Sequence, residues 1–212
     1  MGLFGPDRSA LDRGLDAFER RDWKRARRLL EDALQDEERA VGHHYLGLLY
    51  WRGLGGPRQV GAAVDCFARA ADMGYPPAQT AYAMALRSGM GVGRDAEAAR
   101  ALYQSAAGAG DRAAMVELAT MSDPGEARYW LKRASELGHA PAMMHYSDLI
   151  FRDDPVEALA WLYAAVAVAG EDAARKRAAA LAREMTAKEI DAAQKAGRLY
   201  AKDIQRANRE RA

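Results

Sequence analysis

The sequence predicts an all-α protein: a solenoid of stacked antiparallel helix pairs, finished by C-terminal capping helices. Three observations carry this. Residues 45–74, YLGLLYWRGLGGPRQVGAAVDCFARAADMG, recur in residues 81–110, AYAMALRSGMGVGRDAEAARALYQSAAGAG. Gly53 and Gly89, Gly55 and Gly91, Phe67 and Tyr103, and Gly74 and Gly110 all fall 36 residues apart. A period of this length marks a repeated pair of helices, and such a unit buries its apolar face only by stacking on its neighbours. Second, the apolar residues follow helical spacing and are separated by Gly- and Pro-rich breaks. Third, alanine is abundant and only 7 of the 212 residues are proline, a composition that favours closely packed helices.

The elements follow in order. Residues 9–37 form a plain helical hairpin, part of a segment 1–37. Ser9 is placed to cap a helix with Leu11, Leu15 and Phe18 on one face. After a break at Arg21–Asp22, Trp23, Ala26, Leu29, Leu30, Ala33 and Leu34 resume the spacing. The second unit, residues 40–74, carries Tyr45, Leu46, Leu49 and Tyr50 on its first helix. It breaks at Gly53, Gly55, Gly56 and Pro57, and its second helix, Val60 to Met73, ends at Gly74. The third, 76–110, opens on Pro76-Pro77, turns at Gly89, Gly91 and Gly93, and closes at Gly110. The fourth, 112–138, turns at Ser122-Asp123-Pro124-Gly125, and the fifth, 140–170, at Asp153-Asp154-Pro155. Beyond Gly170, residues 172–184 read as helix. Thr186-Ala187-Lys188-Glu189 is a capping box that starts another, the polar end a repeat array needs. Segment 171–212 is therefore the cap, and no low-complexity linker divides the chain.

Composition excludes several classes of function. The net charge of +1 exerts no global attraction for nucleic acid or membranes. Cys66 is the single cysteine, so no internal disulfide forms, and beside Phe67 it reads as a small packing residue. No run approaches the ~20 apolar residues of a membrane span. The start, MGLFGPDRSALDRG, lacks the basic and apolar regions of a secretory leader, and Pro6 stands where myristoylation wants Ser or Thr. The expected compartment is the cytoplasm. His43 and His44 are adjacent, so on a helix they point about 100° apart. With His139 and His145 they make no ligand set, and no metal or cofactor is expected. Gly89-Met90-Gly91 has no strand before it, which a phosphate-cradling loop requires. No serine sits in a nucleophile elbow, so enzymatic activity is not expected.

Two basic clusters support a rival reading as a binder of nucleic acid or acidic surfaces. One is Arg20, Arg21, Lys24, Arg25, Arg27 and Arg28. The other lies within 175–211 and holds Arg175, Lys176, Arg177, Lys195, Arg198, Lys202, Arg206, Arg209 and Arg211. Neighbouring Glu31, Asp32, Asp36, Glu37 and Glu38 favour a solvated helix face for the first.

Leu46-Gly47-Leu48-Leu49-Tyr50 with Gly53, Gly89-Met90-Gly91-Val92 with Asp95, and Ala70-Ala71 and Ala106-Ala107 three residues before a glycine form a recognisable pattern. It resembles the Sel1-like repeat, a relative of the tetratricopeptide repeat, over residues 38–170. Residues 9–37 are more similar to a plain tetratricopeptide hairpin, and the tail resembles the closing helices of bacterial members. The resemblance implies a non-enzymatic adaptor that holds a protein or peptide on its concave side. Members tied to β-lactams carry a cysteine pair in each repeat, and a chain with only Cys66 does not fit them. The pattern residues Leu46, Gly47 and Tyr50 belong inside the stack, with Gly47 and Ala83 as equivalent close-contact positions. Residues out of phase with them should line the groove. They are His44, Tyr45, Leu48, Trp51 and Arg52; Thr80, Met84, Arg87 and Ser88; Glu117; and Met144, His145, Asp148, Phe151 and Arg152. Trp, Tyr, Met and Arg are the residue types that anchor protein interfaces.

Overall fold

The computed structural model describes residues 9–36 and 39–210, and of Gln35 and Asp36 only the backbone. Pro6 and the rest of the start, Glu37, Glu38, Arg211 and the Asp36 side chain therefore lie outside what is described. Twelve helices and no strand are present among the described residues. They are α1 (Ala10–Glu19), α2 (Trp23–Asp36), α3 (Ala40–Arg52), α4 (Val60–Asp72), α5 (Pro76–Ser88), α6 (Ala96–Gly108), α7 (Arg112–Thr120), α8 (Pro124–Glu136), α9 (Ala140–Ile150), α10 (Pro155–Ala169), α11 (Asp172–Ala182) and α12 (Ala187–Glu210). They gather into two compact units that divide between Asp111 and Arg112.

In the first unit α1 pairs with α2, α3 with α4 and α5 with α6, and successive pairs pack α2 on α3 and α4 on α5. Ser9 caps α1 by accepting from the Asp12 amide at 3.1 Å. Arg21 turns the hairpin at φ +60°, a strained choice that leaves this break without a glycine. Inside the second pair Gly47 is obligatory: a Cβ there would lie 2.6 Å from Phe67 Cε1 and 3.2 Å from the Ala63 carbonyl oxygen. One period on, Ala83 and Tyr103 are fully buried.

The loop glycines do more than turn the chain. Gly55, at φ +75°, lies so close to the start of α2 that a Cβ would sit 2.3 Å from the Trp23 carbonyl oxygen. Gly91, at φ +79°, packs likewise on Val60 and Val64 of α4, at 2.9 and 3.0 Å from a built Cβ. Each glycine loop thus seats its pair on the second helix of the pair before it. Backbone freedom and the absence of a side chain are both needed there.

In the second unit α7 pairs with α8 and α9 with α10, α8 packs on α9, and α11 and α12 both lie against α10. Asp123 and Asp154 replace the glycine loops as N-caps. Asp123 accepts from the amides of Gly125 and Glu126 at 2.9 and 3.0 Å, and Asp154 from Glu157 at 2.8 Å. The capping box forms: the Thr186 amide donates to Glu189 at 2.8 Å, and the Glu189 amide to Thr186 Oγ1 at 3.3 Å. The α12 face of Ala193, Gly197, Ala201 and Ile204 is buried. Gly197 lets α12 reach the α10 backbone, since a Cβ there would meet the Ala160 carbonyl oxygen at 2.7 Å and Tyr163 Cβ at 2.8 Å.

Candidate functional site

The groove residues expected from the sequence divide between packing and surface. In the first unit His44 and Tyr45 belong to an aromatic cluster. The His44 ring meets Tyr45 and Tyr75 edge-on at 5.5 and 5.3 Å and approaches Phe67 at 5.9 Å, while Tyr45 meets Phe18 at 4.7 Å. Burial pushes the His44 imidazole down to about 4, against the opposing pull of Asp111. Its Nδ1 has no hydrogen-bond partner among the described residues. Thr80 does not line a groove. It is buried, and its hydroxyl donates to Asp111 at 3.0 Å. Ser88 turns its hydroxyl back to the Met84 carbonyl at 2.8 Å.

Arg52 and Met84 are exposed, and Leu48, Trp51 and Arg87 are half-buried. Trp51 is gripped from two sides. Phe67 lies 6.1 Å away, and the Arg58 guanidinium stands 5.7 Å over the ring while its Nε donates to the Trp51 carbonyl at 2.9 Å. Arg58 also reaches the Met90 sulfur at 3.5 Å. Arg58 and Met90 sit in the glycine loops, and helical phase, the only signal used to pick groove residues, does not reach them.

In the second unit two apolar grooves flank α9. One, of about 360 Å³, is lined by Val116, Ala119, Leu131, His145 and Leu149 from α7, α8 and α9. The other, of about 320 Å³, is lined by Phe151, Leu162, Arg177, Leu181 and Glu184 from the α9 end, α10 and α11. Asp148 borders both. Its carboxylate is held by Arg177 at 2.6 Å, an exposed pair that orients the side chain more than it stabilises the fold. His145, Phe151 and Arg152 are exposed, and Glu117 and Met144 are half-buried. Three expected residues, His145, Asp148 and Phe151, thus come together around these grooves. The α11 wall was missed, because Arg177 reads in sequence as part of a basic run, and its pairing with a residue 29 positions away leaves no local trace.

The basic clusters are partly consumed by structure. Arg27 is folded in: its Nε meets Glu31 at 2.9 Å, its Nη1 donates to the Pro57 carbonyl at 3.1 Å, and its guanidinium covers the Tyr50 ring at 4.5 Å. Tyr50 donates to the same Glu31 carboxylate at 2.9 Å, so the network joins the first pair to the second. Arg20 pairs with Asp16, Arg175 with Asp172, Lys195 with Asp191 and Arg206 with Glu210. Lys24, Arg25 and Arg28 remain exposed on α2. Burial raises the Cys66 thiol to about 11, which keeps it protonated and unreactive. Among the described residues no group of three or more His, Cys, Asp and Glu is arranged to hold a metal, and no helix is long and apolar enough to cross a membrane.

Solved structures share this fold. A Sel1 repeat protein from Oxalobacter formigenes superposes with a TM-score of 0.71 at 21% identity, over 90% of this chain and 82% of that one. A protective antigen present in uropathogenic Escherichia coli strains, displaying an SLR fold, superposes with a TM-score of 0.56 at 18% identity, over 94% of this chain and 55% of that one. No curated protein matches the chain. The Sel1 repeat model matches residues 34–75, 76–111, 117–139 and 141–167, more than half of the sequence, and the chain belongs to the Sel1 repeat family.

Proposed function

We propose that this protein is a non-enzymatic adaptor that holds an extended segment of a protein partner against the first helices of its repeats, with the grooves flanking α9 as the principal seat. One observation carries the reading: two apolar grooves of peptide-side-chain size meet at Asp148, with exposed Phe151 at the edge of one and His145 at the edge of the other. Apolar pockets interrupted by an oriented charge suit a segment with apolar anchors on either side of a polar position. Trp51, Arg52, Met84 and Arg87 on α3 and α5 of the first unit, and Glu117 and Arg152 of the second, are proposed as further contact residues. The cytoplasm is the compartment proposed for this work, and cell fractionation checks it.

The test is a pull-down from native lysate with wild type, Leu149→Glu, Phe151→Ala and Arg25→Ala. Leu149→Glu places a charge in an apolar groove, and Phe151→Ala should cost about 2 kcal/mol of binding if the ring is an anchor. Both should lose the partner while Arg25→Ala keeps it. Loss with Arg25→Ala alone, accompanied by nucleic acid in the bound fraction, would move the function to the basic face of α2.

A further inference from the structure

A third pocket of the second unit, about 400 Å³, shares no lining residue with either groove of the proposed seat. Its walls come from α8 (Lys132, Glu136), α10 (Glu157, Trp161) and α12 (Tyr200, Asp203). The aromatic wall is built rather than incidental. Trp161 and Tyr200 stack with centroids 4.5 Å apart and planes at 26°. Tyr146 meets the indole edge-on at 6.0 Å, and the indole N–H donates to Glu157 at 3.3 Å. Trp161 is held on three sides before any ligand arrives.

The charge is one-sided. Three carboxylates face a single ammonium, and Lys132 is committed to Glu157 at 4.0 Å. Glu136 on α8 and Asp203 on α12 are exposed. The tyrosines feel the same field: burial first, then Glu157, pushes Tyr146 up to about 12 and raises Tyr200 above its ordinary value. Anions are repelled here. A planar cation with several N–H donors satisfies both wall types at once, since a guanidinium stacks on an aromatic ring while its edge donates to carboxylates. A quaternary ammonium has no donor for Glu136 or Asp203, and an ammonium has no flat face for the ring.

We propose that this pocket binds an arginine side chain of a protein partner, with the guanidinium stacked on the half-exposed Tyr200 ring, which itself covers the buried Trp161 indole, and donating to Glu136 and Asp203. The site is separate from the grooves beside α9 and stands or falls independently of them.

The experiment follows the tryptophan indole N–H resonances of the full chain, with Trp161 assigned by Trp161→Phe. The chain is titrated with N-acetyl-arginine amide, its neutral isostere N-acetyl-citrulline amide, N-acetyl-lysine amide and tetramethylammonium. The arginine probe should shift Trp161 saturably and the others should not. Asp203→Asn and Glu136→Gln, both at exposed positions, should each weaken binding about fivefold or more, and Tyr200→Leu should weaken it comparably. Leu149→Glu, in the other site, should leave it unchanged. No saturable shift, an equal response to citrulline, lysine or tetramethylammonium, or wild-type affinity in Asp203→Asn would each overturn the proposal. Should Tyr200→Leu loosen α12, the two carboxylate variants still decide.

Discussion

Acid should loosen the first unit through one side chain, His44. Burial among Tyr45, Phe67 and Tyr75 lowers its imidazole from 6.5 to about 4, and Asp111 only partly counters that. Above pH 6.5 the ring is neutral whether folded or unfolded and stability does not change on its account. Between pH 6.5 and about 4 the unfolded chain takes up a proton that the folded chain refuses, so stability falls as pH falls. Below about 4 both states carry the proton and the loss is complete. At about 1.36 kcal/mol per pH unit, the gap amounts to at most about 3 kcal/mol, and the partial exposure of the half-buried ring reduces it. That is a large share of the stability of a small helical unit. The assay is urea unfolding of wild type and His44→Leu at pH 7, 5.5 and 4.5, with the His44 ring titrated by NMR. Carboxylates also titrate in this range, but they are common to both proteins, so the difference in slope isolates the ring. Wild type should lose about 1–2.5 kcal/mol more than the variant between pH 7 and 4.5. Equal slopes, or a His44 titration near 6.5, would refute the reasoning.

Three further outcomes follow from the packing. Ala83→Leu inserts a branched side chain at a fully buried position of α5 and should lower stability by about 1–3 kcal/mol, read by thermal melting. Gly55→Ala adds a methyl group where the Trp23 carbonyl already stands and where φ is +75°, and should cost more than Gly61→Ala, whose Cβ meets nothing within 4 Å. Gly197→Val should open the α10–α12 contact, seen as faster amide exchange in α12 with α7 to α9 unchanged.

Helix order was legible because turns and apolar spacing are local signals. Gly53 and Gly89 cap their helices as their positions in the repeat imply, and Thr186 with Glu189 forms the expected box. What a residue touches on the next pair was not legible. Gly55 and Gly91 read as turn formers, and their second role, close approach to α2 and α4, depends on stacking geometry that no local window contains. The site shows the same divide. Helical phase found His145, Asp148 and Phe151, which share the surface around α9. It also named Thr80, which is buried and bonded to Asp111, and His44 and Tyr45, which the aromatic cluster absorbs. Arg27 and Arg177 looked alike in sequence as members of basic runs. One became a half-buried link between helix pairs and the other a partner of Asp148. Charge clusters along a chain do not say which members find a carboxylate across a helix contact.

The central claim is that a polypeptide seats beside α9. A photoreactive benzoylphenylalanine at position 151, with a second at exposed Tyr129 on α8 as reference, tests it most directly in cells. The account predicts a discrete crosslinked protein at 151 that disappears when Leu149→Glu is added, and none at 129. The same product at both positions, or one at 151 that survives Leu149→Glu, would contradict it.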